Sequence, residues 1–123
     1  MVGQRRARRA AAVVVLVAGL VSGCSSSGSA AAEERQQDYC TKLGSWQDIR
    51  DDAVAAGGAG DQADLAGYAA VSAAKVIDRE GLDRGGSHVL DDTVMAVGGD
   101  PVAEGRAASY CDGSGFETLV NGG

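Results

Sequence analysis

The stretch Tyr39-Cys40-Thr41-Lys42-Leu43-Gly44-Ser45-Trp46-Gln47-Asp48-Ile49-Arg50-Asp51-Asp52-Ala53 decides the fold. Its larger apolar residues, Tyr39, Leu43, Trp46, Ile49 and Ala53, follow one another at intervals of 4, 3, 3 and 4. That is one stripe along a helix, not the alternation of a strand. The spacing predicts a helix over 33–56, stopped by Gly57-Gly58. Downstream, Asp61 is placed to cap a second helix, with acidic Asp64 in its first turn. Leu65, Tyr68, Ser72 and Val76 trace a weaker face on it running towards Arg79, and Gly81 ends it.

A short third helix is expected over 87–97, with Val89, Leu90, Thr93, Val94 and Val97 facing inwards and Gly98-Gly99 as its stop. Asp100-Pro101 then supplies an N-cap followed by proline at the first helical position. Ala103, Ala107, Tyr110 and Cys111 line the fourth helix. The tail over 113–123 reads as loop, with Phe116, Leu119 and Val120 available to fold back over the core. No alternating, β-branched pattern appears, so the expected fold is all-α: a small up-down bundle of about four helices. Ala and Gly together supply 41 of 123 residues. Such small side chains allow helices to approach closely but do not easily wall a deep pocket.

The N-terminal segment has a different character. Arg5, Arg6, Arg8 and Arg9 precede an uncharged run over 10–21, followed by Ser22, Gly23 and Cys24. A basic region before a short apolar one is an export signal. Twelve helical residues reach only about 18 Å, short of the ~30 Å hydrocarbon core. The junction Val21-Ser22-Gly23-Cys24 resembles a bacterial lipobox. The resemblance implies a diacylglycerol on the Cys24 thiol, cleavage just before it, and a mature chain that begins at Cys24. Ordinary cleavage after Ala30-Ala31-Ala32 also fits a small-x-small pattern and would release a soluble chain from Glu33. Arg8-Arg9 raises twin-arginine export, but Ala10-Ala11-Ala12 lacks the bulky apolar residues that complete that signal, and the route stays open. The organisation expected is a signal peptide over 1–23, a lipidated cysteine and flexible tether over 24–32, a helical domain over 33–112 and a tail over 113–123. The composition, with nine arginines to two lysines and abundant Ala, Gly, Asp and Val, resembles that of small secreted actinobacterial lipoproteins.

With Cys24 taken by lipid, Cys40 and Cys111 remain as an even pair. They fall at ends of the first and fourth helices that meet in such a bundle, so a Cys40–Cys111 disulfide is expected. Tyr39 and Tyr110 each precede one of these cysteines and are expected to pack around the bridge. The cross-link matters because Leu, Ile, Val and Phe make up only 16 of the 100 residues from Cys24 onward, which approaches the composition of disordered chains.

Four of the 11 basic residues lie within residues 1–23, which leaves seven against 17 acidic ones and a net charge of −10 on the mature chain. That charge disfavours nucleic acid and anionic polymers as partners and assigns membrane retention to the lipid on Cys24. No catalytic constellation emerges. Ser87, His88 and Asp91 lie on one short helix and do not reach the mutual angles of a hydrolytic triad. Asp91-Asp92 diverge around a helix and lack an aromatic sugar platform. Asp48, Asp51 and Asp52 share a helix face, read as a solvated acidic surface because calcium takes about six to eight oxygens from a shaped loop. The run from Asp78 to His88 does not have the acidic alternation of such a loop. There is no Cys-x-x-Cys pair, no Cys/His metal spacing and no glycine-rich phosphate loop, and Trp46 belongs to the core stripe. The reading is a non-enzymatic, acidic, lipid-anchored module on the extracytoplasmic face of a cell membrane, without cofactor or metal, for a protein partner in the envelope. The alternative is a binder of a small ligand or a divalent cation.

Overall fold

The computed structural model describes residues 30–58 and 60–122. The expected signal peptide over 1–23, the expected lipidation site Cys24 and the expected tether as far as residue 29 lie outside the described residues. Four helices follow one another: α1 over 30–55, α2 Asp61–Arg79, α3 Val89–Val97 and α4 Pro101–Gly113. A single 3-10 turn, Glu117–Leu119, follows α4. Among the described residues there is no strand, and the chain from Glu34 onward forms one compact unit. The fold is the small disulfide-closed helical bundle that the periodicity predicts. Ala30-Ala31-Ala32, the first described residues, are helical, consistent with alanine's high helix propensity.

The helix ends follow from local chemistry. Asp100 Oδ1 accepts from the N–H groups of Val102 and Ala103, with Pro101 at the first helical position. The helices end in a common way, with an N–H reaching back five residues: Gly58 to Ala53 O, Leu82 to Ile77 O, Asp100 to Met95 O and Phe116 to Cys111 O. This pattern needs a left-handed residue just before the donor, which Gly81 (φ 66°) and Gly99 (φ 109°) supply. Helix α3 starts at Val89, not at residue 87, because the cap comes from upstream: Asp83 Oδ1 accepts the Val89 N–H at 3.1 Å.

The centre of the fold is the Cys40–Cys111 bridge, with Cα atoms 5.8 Å apart and both cysteines fully buried. Tyr39 and Tyr110 flank it edge to face, ring centres 5.9 Å apart. The Thr93 hydroxyl donates its one proton to Val89 O at 2.6 Å, so at the 2.5 Å contact between Tyr39 Oη and Thr93 Oγ1 the tyrosine is the donor. Tyr110 Oη donates to Leu82 O. Burial pushes the Tyr39 phenol far above its ordinary range, with the nearby Asp92 carboxylate adding to the rise. The tail closes over α1: a Cβ at Gly44 would overlap the Leu119 carbonyl oxygen, so only glycine lets the tail lie there.

Two expected faces differ. On α2 the buried residues are Ala63, Gly67, Ala70, Ala73, Ala74 and Ile77, whereas Leu65 and Tyr68 are 68% and 72% exposed. The reason is close approach: a Cβ on Gly67 would stand 2.8 Å from Val97 Cγ1 and 3.4 Å from Trp46 Cδ1, so small residues take the contact and the bulky stripe turns outward. On α3, Val94 is exposed and Asp92, not a hydrophobe, is buried.

Two outcomes test this packing. Closing a chain separation of 71 residues should contribute roughly 4 kcal/mol. At about 4–8 °C per kcal/mol, reduction should lower the circular-dichroism melting midpoint by at least about 15 °C, and an unchanged melt would refute it. Gly67→Leu should destabilise by about 1–3 kcal/mol through overpacking, while Leu65→Ser stays within about 0.5 kcal/mol. Equal losses in chemical denaturation would mean that the α2 face is assigned the wrong way round.

Candidate functional site

Two polar constellations stand out, and both are built around arginine. The first joins α1, α4 and the tail. Gln47 is fully buried on α1, and its carboxamide clasps the tail: Oε1 accepts from Asn121 N at 2.9 Å, and Nε2 donates to Asn121 O at 3.0 Å. The same Nε2 donates to Glu104 Oε2 at 2.8 Å. Arg50 meets Glu104 through both Nη atoms, at 2.5 and 3.1 Å, and its guanidinium lies over the Trp46 ring, 4.6 Å from the centroid. Burial alone would raise the Glu104 carboxyl, but the hydrogen bonds from Arg50 and Gln47 outweigh it and hold the group below the ordinary carboxylate range. The Arg50 guanidinium is correspondingly raised, first by its bonds to Glu104.

The second constellation is a cleft of about 750 Å³ between the α2–α3 loop and α4. Arg84, at the loop, reaches across so that Nη1 donates at 2.9 Å to the carbonyl of Gly113, the last residue of α4. Its backbone N–H bonds the Ser87 hydroxyl at 3.1 Å, which closes the loop on itself. Arg106, on α4, gives its Nε proton to Asp92 on α3 at 2.8 Å, and the Asp92 side chain is only 9% exposed. Val102 and the ring of Tyr110 form apolar wall, and Ser87, His88 and Ser109 stand around the rim.

No family model, curated protein or solved structure matches this chain. The arrangement is therefore read from its own chemistry.

The residues singled out in the sequence fall as follows. Cys40 and Cys111 are joined; Cys24 lies outside the described residues. His88 is the exposed residue just before α3, and Asp91 is exposed on its first turn. Asp48 accepts from Asn121 Nδ2, Asp51 from Arg50, and Asp52 is exposed. Among the described residues, no three His, Cys, Asp or Glu side chains converge on a point that could hold a metal ion. Trp46 sits in the core at 3% exposure. The reading of the sequence missed Gln47, Glu104, Arg84 and Arg106. Gln47 and Arg50 belong to the quoted helix but off its apolar stripe, and Glu104 at the first turn of α4 carries no motif. Only proximity in the fold makes them a group.

Because the folded-state pKa of Glu104 is depressed, its contribution is fully present above the ordinary carboxylate range and fades as pH falls through the lowered value. Glu104→Gln should therefore cost about 1–3 kcal/mol near neutrality, where it leaves Arg50 underpaired. The gap to wild type should narrow between about pH 7 and about pH 3, across the ordinary carboxylate pKa of about 4. Urea titrations at the two pH values check this; a constant difference would refute the ionic role.

Proposed function

We propose that this chain is an exported lipoprotein, held through Cys24 on the extracytoplasmic face of a bacterial membrane, whose acidic helical domain serves a protein partner in the envelope. The reading rests on one observation. The Cys40–Cys111 bridge takes up both cysteines of the domain, and such bridges persist in oxidising compartments outside the cytoplasm. Cys24 is then left as the one cysteine without a role in the bundle, at the end of an apolar run that resembles a signal peptide. Two acyl chains on that residue give stable anchoring where one gives only marginal binding.

The partner surface suggested by the fold is the outward face of α2. Leu65 and Tyr68 lie exposed beside Asp61 and Asp64, both exposed as well. Their chemistry suits a protein partner with an apolar patch and a basic rim, since the acidic flank would repel an acidic one. The role is one of binding and not of catalysis: Ser87, His88 and Asp91 lie within five consecutive residues, and the carboxylates of Glu104 and Asp92 are engaged by Arg50 and Arg106.

The intact mass of the protein from its source cells, taken without reductant, tests the anchor. The expected chain starts at Cys24, heavier by a diacylglycerol and lighter by two hydrogens. A bare chain starting at Glu33 would overturn the anchor and make the protein a free secreted one. Cross-linking in intact cells tests the partner: a discrete adduct should disappear with Tyr68→Ser while the melt is unchanged, and an adduct indifferent to that substitution would remove α2 from the interface.

A further inference from the structure

We propose that the cleft between the α2–α3 loop and α4 binds a small soluble organic anion, a carboxylate or phosphate monoester carried on a compact apolar body. The inference is independent of the anchor at Cys24 and of the α2 face. Its basis is the placement of positive charge. Only seven basic residues follow Cys24 in a chain with 17 acidic ones, yet two of the five arginines among them, Arg84 and Arg106, line this one cleft. Asp92 is the single acid in the lining, and its carboxylate is already engaged by Arg106 Nε.

Both guanidinium groups are held in place by one bond each, Arg84 to Gly113 O and Arg106 to Asp92. The mostly buried Asp92 fixes Arg106 by Nε, which leaves the paired Nη edge, without a hydrogen-bond partner among the described residues, available to an acceptor. A guanidinium edge of that kind matches the two oxygens of a carboxylate or phosphate. Preorganised donors need no reordering when the ligand arrives, which favours binding. Hydroxyls at Ser87 and Ser109 add donors, while Val102 and Tyr110 offer apolar surface for the body of the ligand. The volume of about 750 Å³ falls within the roughly 300–1,000 Å³ of small-molecule sites. The acidic remainder of the molecule selects for size: an extended polyanion or an anionic lipid surface meets the repulsion of the whole body, whereas a small anion feels mainly the local pair of arginines.

Titration of the full chain, solubilised in detergent, with phenyl phosphate and with benzoate tests the proposal by heteronuclear NMR. Backbone amide shifts should saturate and concentrate at Gly85, Gly86 and Ser109. Phenol, without the charge, and benzylamine, with the opposite charge, should leave those amides in place. Arg84→Gln and Arg106→Gln should each weaken the affinity at least tenfold, whereas Arg79→Gln, outside the cleft, should not. Arg106→Gln leaves Asp92 without its partner, so if its circular dichroism changes, Arg84→Gln alone carries the comparison. Absence of saturable shifts with both anions, or shifts indifferent to Arg84→Gln, would overturn the site. Glycerophosphoglycerol, the phosphodiester headgroup of an anionic lipid, should bind far more weakly than phenyl phosphate. Equal binding would overturn the soluble source and assign the cleft to a lipid headgroup.

Discussion

Everything in this bundle hangs on one covalent tie and the two aromatic rings beside it. The Cys40–Cys111 bridge joins the first helix to the last, and the Tyr39 and Tyr110 rings close around it. Each phenol then reaches a different element: Tyr39 donates to Thr93 on α3, and Tyr110 to the Leu82 carbonyl between α2 and α3. One cross-link therefore organises contacts to α1, α3 and α4 and to the loop between α2 and α3. A chain with so few large apolar residues does not have the buried area to fix this geometry by hydrophobic contact alone. Reducing the freedom of the unfolded chain is the more effective route for a domain of this size.

The second constraint is distance between helices. Where α2 meets Trp46 and Val97, the contact residue is Gly67, and Ala63, Ala70, Ala73 and Ala74 continue the same face. Alanine and glycine gain little from burial by area, but they let backbones approach, and neighbouring large residues such as Trp46 then fill the gap. This inverts the usual rule that the larger apolar side chains mark the inner face. Leu65 and Tyr68 obey helical spacing and still face water.

That inversion separates what was legible in the sequence from what was not. Helix number, the glycine stops, the Asp100-Pro101 start and the disulfide follow from local signals: periodicity, caps and cysteine parity. The inner face of α1 was equally clear, because Tyr39, Leu43 and Trp46 stand out on a stripe with no competitor. On α2 two stripes compete, one large and one small, and the choice between them depends on what the neighbouring helix presents. No window of sequence contains that information. The polar groups were harder still. Gln47 and Asn121 are 74 residues apart, as the bond between them records, and Arg84 meets Gly113 across 29. Such pairs become visible only when the bundle has been closed.

The cleft and the core are consequently one construction. Asp92, which holds Arg106, is the immediate neighbour of Thr93, which holds Tyr39, and Tyr39 is joined in sequence to Cys40. Tyr110 contributes its ring to the cleft and its hydroxyl to Leu82, one residue past the α2 stop, while Cys111 beside it completes the bridge. The Arg106 guanidinium is therefore set by the same short stretch of α3 that holds Tyr39, and the Arg84 guanidinium by Gly113 O, two residues past Cys111. An acidic protein with a thin core has few rigid places to hold a pair of like charges. It holds them by bonds to Asp92 and to Gly113 O, so that an arginine edge loses little further freedom on meeting an anion.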